Sequence, residues 1–272
     1  MRQTVLGVDD DPDFRAAISE LLTSAGYQFV GAGSGAEALA HVGSTAIDLA
    51  IIDGLLPDTR GDVLIRELRR RGFDGAMIFV STLLHGRQDD LLEQLKSSLQ
   101  VSAVSRKPIE PERFLEQVDE ALASRSGAVP LRSPGFANEP SSQAEATRER
   151  VKRATDEIQK LRVAYGRKIL PLFYELLGEV AVGRGKVPLV FVGAERLAHR
   201  MAGTAGTYGF VRIGSAMGEI EDLLAVITEA GERVRPLLLR TLDAQLDCVA
   251  RTIIEELSEK VGPPRKPASL AD

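Results

Sequence analysis

Residues 4–15, TVLGVDDDPDFR, set a short apolar run against three consecutive carboxylates, and their reading decides the fold. Thr4–Val8 is too short for a helix and apolar along its length, as a strand buried on both faces must be. Asp11 suits a helix N-cap and Pro12 the first helical turn. Phe14, Ile18, Leu21, Leu22 and Ala25 then recur at helical spacing, with Gly26 just past the end. A strand, an acidic turn and an amphipathic helix make the first half of a parallel β-α repeat.

The same alternation recurs downstream. Gln28–Ala32, Leu49–Ile52, Ala76–Val80 and Val101–Ser105 read as further buried strands, separated by amphipathic stretches. Five β-α repeats over residues 1–124 predict a doubly wound α/β domain: a five-stranded parallel sheet, helices on both faces, and ligands at the strands' carboxyl ends. From Ser124 to Ala146 the chain reads SRSGAVPLRSPGFANEPSSQAEA, rich in Ser, Pro and Gly and without periodicity, so residues 125–146 are expected to be a flexible linker.

Beyond it only helical periodicity remains. One stripe joins Val151, Ile158, Leu161, Tyr165, Ile169, Leu172 and Leu176, with a kink expected at Pro171. A second joins Ile213, Met217, Ile220, Leu224 and Ile227, and a third Leu238, Leu242, Leu246, Val249, Ile253 and Leu257. With the helix around residue 199 these predict an all-α four-helix bundle over residues 147–262, followed by a disordered tail at 263–272. Cys248 is expected on the apolar side of the last helix.

Composition narrows the function classes. Of 272 residues 44% are hydrophobic, enough for a core in each half, and the net charge of −5 with a pI near 5.5 argues against a general nucleic-acid binder. A single Cys excludes a disulfide framework or a cysteine zinc site. No run of about 18 apolar residues is present to span a membrane, and no apolar run marks a signal peptide, so a cytoplasmic protein is expected.

Three pieces of sequence are placed to converge at the sheet's carboxyl edge. Asp9 and Asp10 follow the first strand, Asp53 ends the third, and Lys107 follows the fifth, just before Pro108. Carboxylates crowded together repel, and a hard divalent cation with oxygen ligands, such as Mg2+, resolves the repulsion. Each piece alone has a plainer meaning, since an Asp after a strand commonly caps a helix. VDDDPDFR (8–15), IIDGLLPDTRG (51–61), FVST (79–82) and SRKP (105–108) together resemble the successive motifs of response-regulator receiver domains, whose fold is flavodoxin-like. The resemblance implies that Asp53 is the phosphoacceptor and that Asp9, Asp10, Asp53 and the Leu55 backbone carbonyl hold Mg2+. It also implies that Lys107 contacts the phosphoryl group and that Ser81, with Thr82 as the alternative, is the hydroxyl switch residue. Two departures stand out: the interval from Ser81 to Lys107 is longer than usual, and Val104 occupies the position of the usual switch aromatic.

Of the three histidines, His41 and His85 belong to no motif and read as surface residues. His199 lies in a helix whose buried face is Leu197, Met201 and Tyr208. Ala202, Gly203 and Gly206 lie at its i+3, i+4 and i+7 positions. These small residues would leave the ring open to a large partner, or else serve close helix packing. HRMAGTAGTYGF (199–210) resembles the phosphorylation-site signature of histidine-containing phosphotransfer (HPt) domains, with Ala202 where many members carry Lys and Arg196 one turn earlier as a substitute charge. The resemblance implies that His199 is a second phosphoacceptor.

The expected function is therefore a two-component phosphorelay carrier rather than an enzyme. Its partners would be a sensor histidine kinase or other receiver domains, with direct transfer between Asp53 and His199 sterically open. The alternative is a phosphorylation-controlled interaction module in which His199 is not a working phosphoacceptor. No Gly-rich ATP-binding motif follows His199, as a kinase would need, and no basic recognition helix for DNA follows the receiver-like half.

Overall fold

The computed structural model describes residues 2–82, 89–125, 142–186 and 189–261. Strands and helices alternate first: β1 (Thr4–Val8), α1 (Pro12–Ser24), β2 (Gln28–Ala32), α2 (Gly35–Ser44), β3 (Leu49–Asp53), α3 (Gly61–Arg70), β4 (Ala76–Ser81), α4 (Asp89–Leu99), β5 (Ala103–Arg106) and α5 (Pro111–Arg125). Then come α6 (Ser142–Arg184), α7 (Val192–Thr207), α8 (Val211–Glu229) and α9 (Arg235–Lys260). The chain divides into two compact units, Met1–Gln159 and Lys160–Asp272, with the division inside α6.

The five strands are all parallel, in the order β2-β1-β3-β4-β5. β1, β3 and β4 are buried at every position, because helices cover both faces of a central parallel strand. β2, at the edge, exposes Gln28 and Gly31. The chain moves from β1 to β2 on one side and on to β3 on the other, so helices leave these strands on opposite faces. That reversal opens a crevice at the carboxyl ends of β1 and β3.

Local punctuation behaves as the sequence predicts. The Asp11 side chain accepts from the Asp13 N–H at 3.0 Å and caps α1, Pro12 opens the helix, and Gly26 stands at φ +95°, a conformation few other residues adopt. The expected linker mostly lies outside the described residues, but 142–146 are already helical, within α6. The expected tail at 263–272 and His85 also lie outside them.

In the second unit α7 packs on α8 and α8 on α9. The stripe of α8, Ile213, Met217, Ile220, Leu224 and Ile227, is fully buried, as are Leu242, Leu246, Val249 and Ile253 of α9. On α6 the buried stripe includes Tyr165, Ile169 and Leu176, but Phe173 and Val180 are buried where Leu161 and Leu172 are only partly so. α6 continues through Pro171, which is exposed. Tyr165 stacks on Tyr208 with ring centroids 4.6 Å apart. Cys248, expected on the apolar side of α9, is exposed instead, one position before the buried Val249. The core-facing stripe of this helix is narrow enough to leave it out.

Glu256 is buried on α9 and accepts from the backbone N–H groups of Ile213 at 2.9 Å and Arg212 at 3.4 Å, while Lys260 pairs with it at 2.7 Å. The first turn of α8 has no side-chain cap of its own, so a carboxylate from another helix satisfies its orphan donors and complements the positive end of its dipole.

Candidate functional site

At the carboxyl edge of the sheet, Asp9 follows β1, Asp53 closes β3 and Lys107 follows β5 through a cis Lys107–Pro108 peptide. All three side chains are buried. Lys107 Nζ lies 2.6 Å from Asp9 Oδ2 and 2.7 Å from Asp53 Oδ1, bridging the two carboxylates. The ammonium also sits 4.1 Å from the centre of the Phe14 ring, so the first helix supplies a π face to this cation. The Arg15 guanidinium hydrogen-bonds the Asp9 carbonyl.

The remaining carboxylate oxygens are spoken for by backbone. Asp9 Oδ1 accepts from the Asp11 N–H at 2.9 Å, and Asp53 Oδ2 from the Leu55 N–H at 2.9 Å. Asp53 Oδ1 is buried and faces the Lys107 ammonium. Two glycines let the backbone around Asp53 pack closely. A Cβ on Gly54 would lie 2.7 Å from the Ser81 hydroxyl oxygen, and one on Gly61 only 2.1 Å from the Asp53 carbonyl oxygen. The Ser81 hydroxyl thus stands at the turn that follows Asp53, and Thr82 is buried next in the chain.

Electrostatics follow from the burial. Burial raises the Asp9 carboxyl, Lys107 draws it back and the neighbouring Asp53 charge raises it again, leaving a pKa of about 7. Burial alone would lower the Lys107 ammonium, but the two carboxylates outweigh it and the net shift is upward. The cluster therefore holds more negative charge than one lysine comfortably offsets.

The structure brings Asp9, Asp53 and Lys107 together. Asp10 stands half-buried, and among the described residues no three His, Cys, Asp or Glu side chains converge as a ready metal group. A hard cation nevertheless fits this donor set: Mg2+ typically takes one or two carboxylates and fills the remaining positions with water. Two buried carboxylates sharing one ammonium, with Asp9 raised, are what an added cation would relieve.

Phe14, Gly54, Gly61 and Asp58 were not singled out by sequence reasoning as parts of this site. Asp58, in the turn between β3 and α3, accepts from the N–H groups of Gly35 and Ala36 at 2.9 Å each, tying that turn to the start of α2. These donors hold its carboxyl below the usual value. The signal for Gly54, Asp58 and Gly61 lay in IIDGLLPDTRG, but their partners are residues distant in sequence.

His199 differs from expectation. Its side chain is only 8% exposed, and Nδ1 lies 2.8 Å from Oε1 of Glu221 on α8. α7 is buried on nearly every side, Leu197, Met201 and Tyr208 included. The small residues bring α8 close: a Cβ on Gly214 would lie 3.0 Å from the Ala202 carbonyl oxygen and 3.1 Å from the Gly206 nitrogen. Close helix packing, rather than an open ring, is thus what these small residues provide. Arg196 is exposed one turn before the histidine. His41 is half-buried near the end of α2. Among the described residues no helix is long and apolar enough to cross a membrane.

Comparison with known proteins bears on the first half. Residues 5–119 match the family model of the response regulator receiver domain. The chain is similar to chemotaxis protein CheY of Thermotoga maritima, 28% identical over 120 residues, or 44% of this chain and 97% of that protein. It is also similar to regulatory protein VanRc of Enterococcus gallinarum, 27% identical over 122 residues, or 45% of this chain and 51% of that protein. With transcriptional regulatory protein GlrR of Escherichia coli it is 29% identical over 125 residues, 46% of this chain and 27% of that protein. The chain thus spans about half or less of the length of the latter two relatives. A solved CheY-like receiver domain protein from Methanospirillum hungatei is 24% identical with a TM-score of 0.42, covering 46% of this chain and 98% of that one. Residues 5–119 are a response regulator receiver domain.

Proposed function

We propose that this chain is a phosphorelay protein of two-component signalling, in which Asp53 accepts a phosphoryl group and His199 carries one in the helical half. The observation that carries the reading is the Asp53 carboxylate: buried, with Lys107 Nζ 2.7 Å from Oδ1 and the Ser81 hydroxyl at the turn that follows it. A carboxylate in this setting is a nucleophile aimed at an electrophile that brings its own negative oxygens, because the adjoining ammonium offsets the charge that arrives. Oδ2 is held by the Leu55 N–H, which fixes the rotation of the carboxyl group and leaves Oδ1 as the attacking atom. Lys107 is positioned to follow the new phosphoryl oxygens, and the Ser81 hydroxyl, with Thr82 as the alternative, to bind another of them. Asp9, Asp10, Asp53 and the Leu55 carbonyl would hold Mg2+, which supplies further positive charge to the phosphoryl oxygens.

Supply of phosphate from a sensor histidine kinase, and exchange of phosphate between His199 and a receiver domain, complete the proposal, with the helical half acting as an HPt-type four-helix bundle. A second reading has its own support. The shallow exposure of His199, 8% of its side chain, favours an interaction module in which that histidine is not a working phosphoacceptor.

The test is to incubate the chain with Mg2+ and acetyl phosphate and locate the phosphate, comparing wild type with Asp53→Ala and His199→Ala. Acyl phosphate is identified by its base lability and phosphohistidine by its acid lability. The relay predicts acyl phosphate on wild type that is absent from Asp53→Ala, and phosphohistidine that His199→Ala abolishes. Labelling of Asp53 alone, even when a separate phosphorylated receiver is supplied, selects the interaction module. No Mg2+-dependent label at all would sink both.

A further inference from the structure

Lys107 brings an ammonium with three N–H donors into a buried site. Two of its neighbours are carboxylates, Asp9 Oδ2 at 2.6 Å and Asp53 Oδ1 at 2.7 Å. A third is the Phe14 ring, its centre 4.1 Å from Nζ. That ring is held in place. Phe14 is 2% exposed and lies in the first turn of α1. The start of this helix is tied to the end of β1, both by the Asp11 N–H to Asp9 Oδ1 and by the Arg15 guanidinium to the Asp9 carbonyl. The π face and the Asp9 carboxylate are therefore fixed relative to one another, and the long Lys107 side chain closes onto them from the end of β5.

We propose that Phe14 is a positioning residue for phosphoryl transfer to Asp53: its ring face seats the Lys107 ammonium beside the Asp53 carboxylate. This rests on the reading of Asp53 as the phosphoacceptor. A lysine has a flexible four-carbon stem, and its ammonium is drawn to every acceptor within reach. A polar group in place of the ring would compete for the ammonium's donors. An aromatic face instead attracts the charge without drawing the hydrogen bonds away from the carboxylates. The ring thus narrows the positions of Nζ while leaving it at Asp53. Placement matters because the ammonium must meet the phosphoryl oxygens as the Asp53 oxygen closes on phosphorus. In that step the new O–P bond forms while the donor's P–O bond breaks, its electron pair leaving with the donor, and no further reactant is needed. An aliphatic side chain at position 14 would fill much of the same space and supply no such attraction.

The experiment takes the full chain with Mg2+ and acetyl phosphate and follows acyl phosphate formation in time. Position 14 carries phenylalanine bearing no, one, two or three ring fluorines, which weaken the π face in steps at nearly constant shape. Uptake is expected to slow with each fluorine, and to fall by about threefold to tenfold in Phe14→Leu. NMR supplies a second readout. The wild-type Lys107 ammonium protons, assigned by their loss in Lys107→Arg, should be shifted upfield by the ring and return towards the ordinary lysine position in Phe14→Leu. An uptake rate indifferent to fluorination overturns the proposal even where Phe14→Leu is slow, since lost packing alone would explain that. Ordinary ammonium shifts in wild type overturn it too, and that spectrum needs no variant at position 14 to fold. Upfield shifts on a wild type that forms no acyl phosphate overturn instead the reading of Asp53, and with it the role of Phe14 in transfer, while leaving the seat for Lys107 intact.

Discussion

Lys107 and Asp9 pair across 98 residues of sequence from the ends of two strands, whereas His199 and Glu221 are 22 residues apart on consecutive helices. In the receiver domain the sheet backbone places the charged groups, and three of them are buried in mutual contact. In the helical half the His199 imidazole meets the Glu221 carboxylate, a contact set by how α7 and α8 pack. The first arrangement is tightly balanced, because removing one charge strands the others away from water. The second sets one carboxylate beside a buried imidazole that need carry no charge, so loss of the partner strands no obligatory ion. Charge concentrated at strand ends thus carries a stability cost that the histidine site does not.

The most severe test of that contrast is Lys107→Ala. It leaves Asp9 and Asp53 buried without their cation and is expected to cost about 3–5 kcal/mol in urea unfolding without divalent ions. Excess Mg2+ should recover part of the loss, and a cost near zero would break the comparison. Glu256→Ala removes a buried carboxylate from the helical half, leaving the Ile213 N–H without its acceptor, and should cost about 1–3 kcal/mol by the same assay. If this exceeds the Lys107 effect, the helical half is the more electrostatically committed of the two.

Asp58→Ala sharpens the account of the receiver domain. It frees the turn after β3 from the start of α2, and since the group lies near solvent the cost should be about 0.5–1 kcal/mol. Phosphoryl uptake at Asp53 measured on the same variant shows whether that tether matters to the acceptor. The smallest effect belongs to Glu67 on α3, whose carboxyl is held at about 2 by hydrogen bonds from Arg70 and Arg71. Its folded pKa lies below the unfolded one. Whatever stability the trio contributes is therefore present at neutral pH and lost as pH falls from about 4.5 towards 2. An NMR titration of Glu67 that shows an ordinary carboxyl pKa would remove the trio from consideration.

Much of the receiver domain was legible beforehand because its signals are local. Strand runs, the Asp11–Pro12 helix start and the positions of Asp9, Asp53 and Lys107 at strand ends follow from short-range periodicity and turn chemistry. The partners of these residues were not legible. Phe14 reads as one more core residue of α1 until its ring is found against Lys107. Cys248 was misplaced because a helical stripe has a width as well as a direction, and only packing decides where its border falls.

The histidine shows the same division more sharply. Local spacing was enough to place His199 on a helix among small residues, because i+3, i+4 and i+7 neighbours follow from helical geometry alone. Whether those residues opened the ring to a partner or let another helix close over it depended on where Gly214 and Glu221 of α8 come to lie. No spacing within one helix encodes that, since helix–helix register is set by the summed packing of both surfaces. The chain alone therefore determined which chemical groups stand at which strand ends and helix turns. Only the tertiary structure decided which of them meet, that Lys107 bridges two carboxylates, and that His199 is buried against a glutamate.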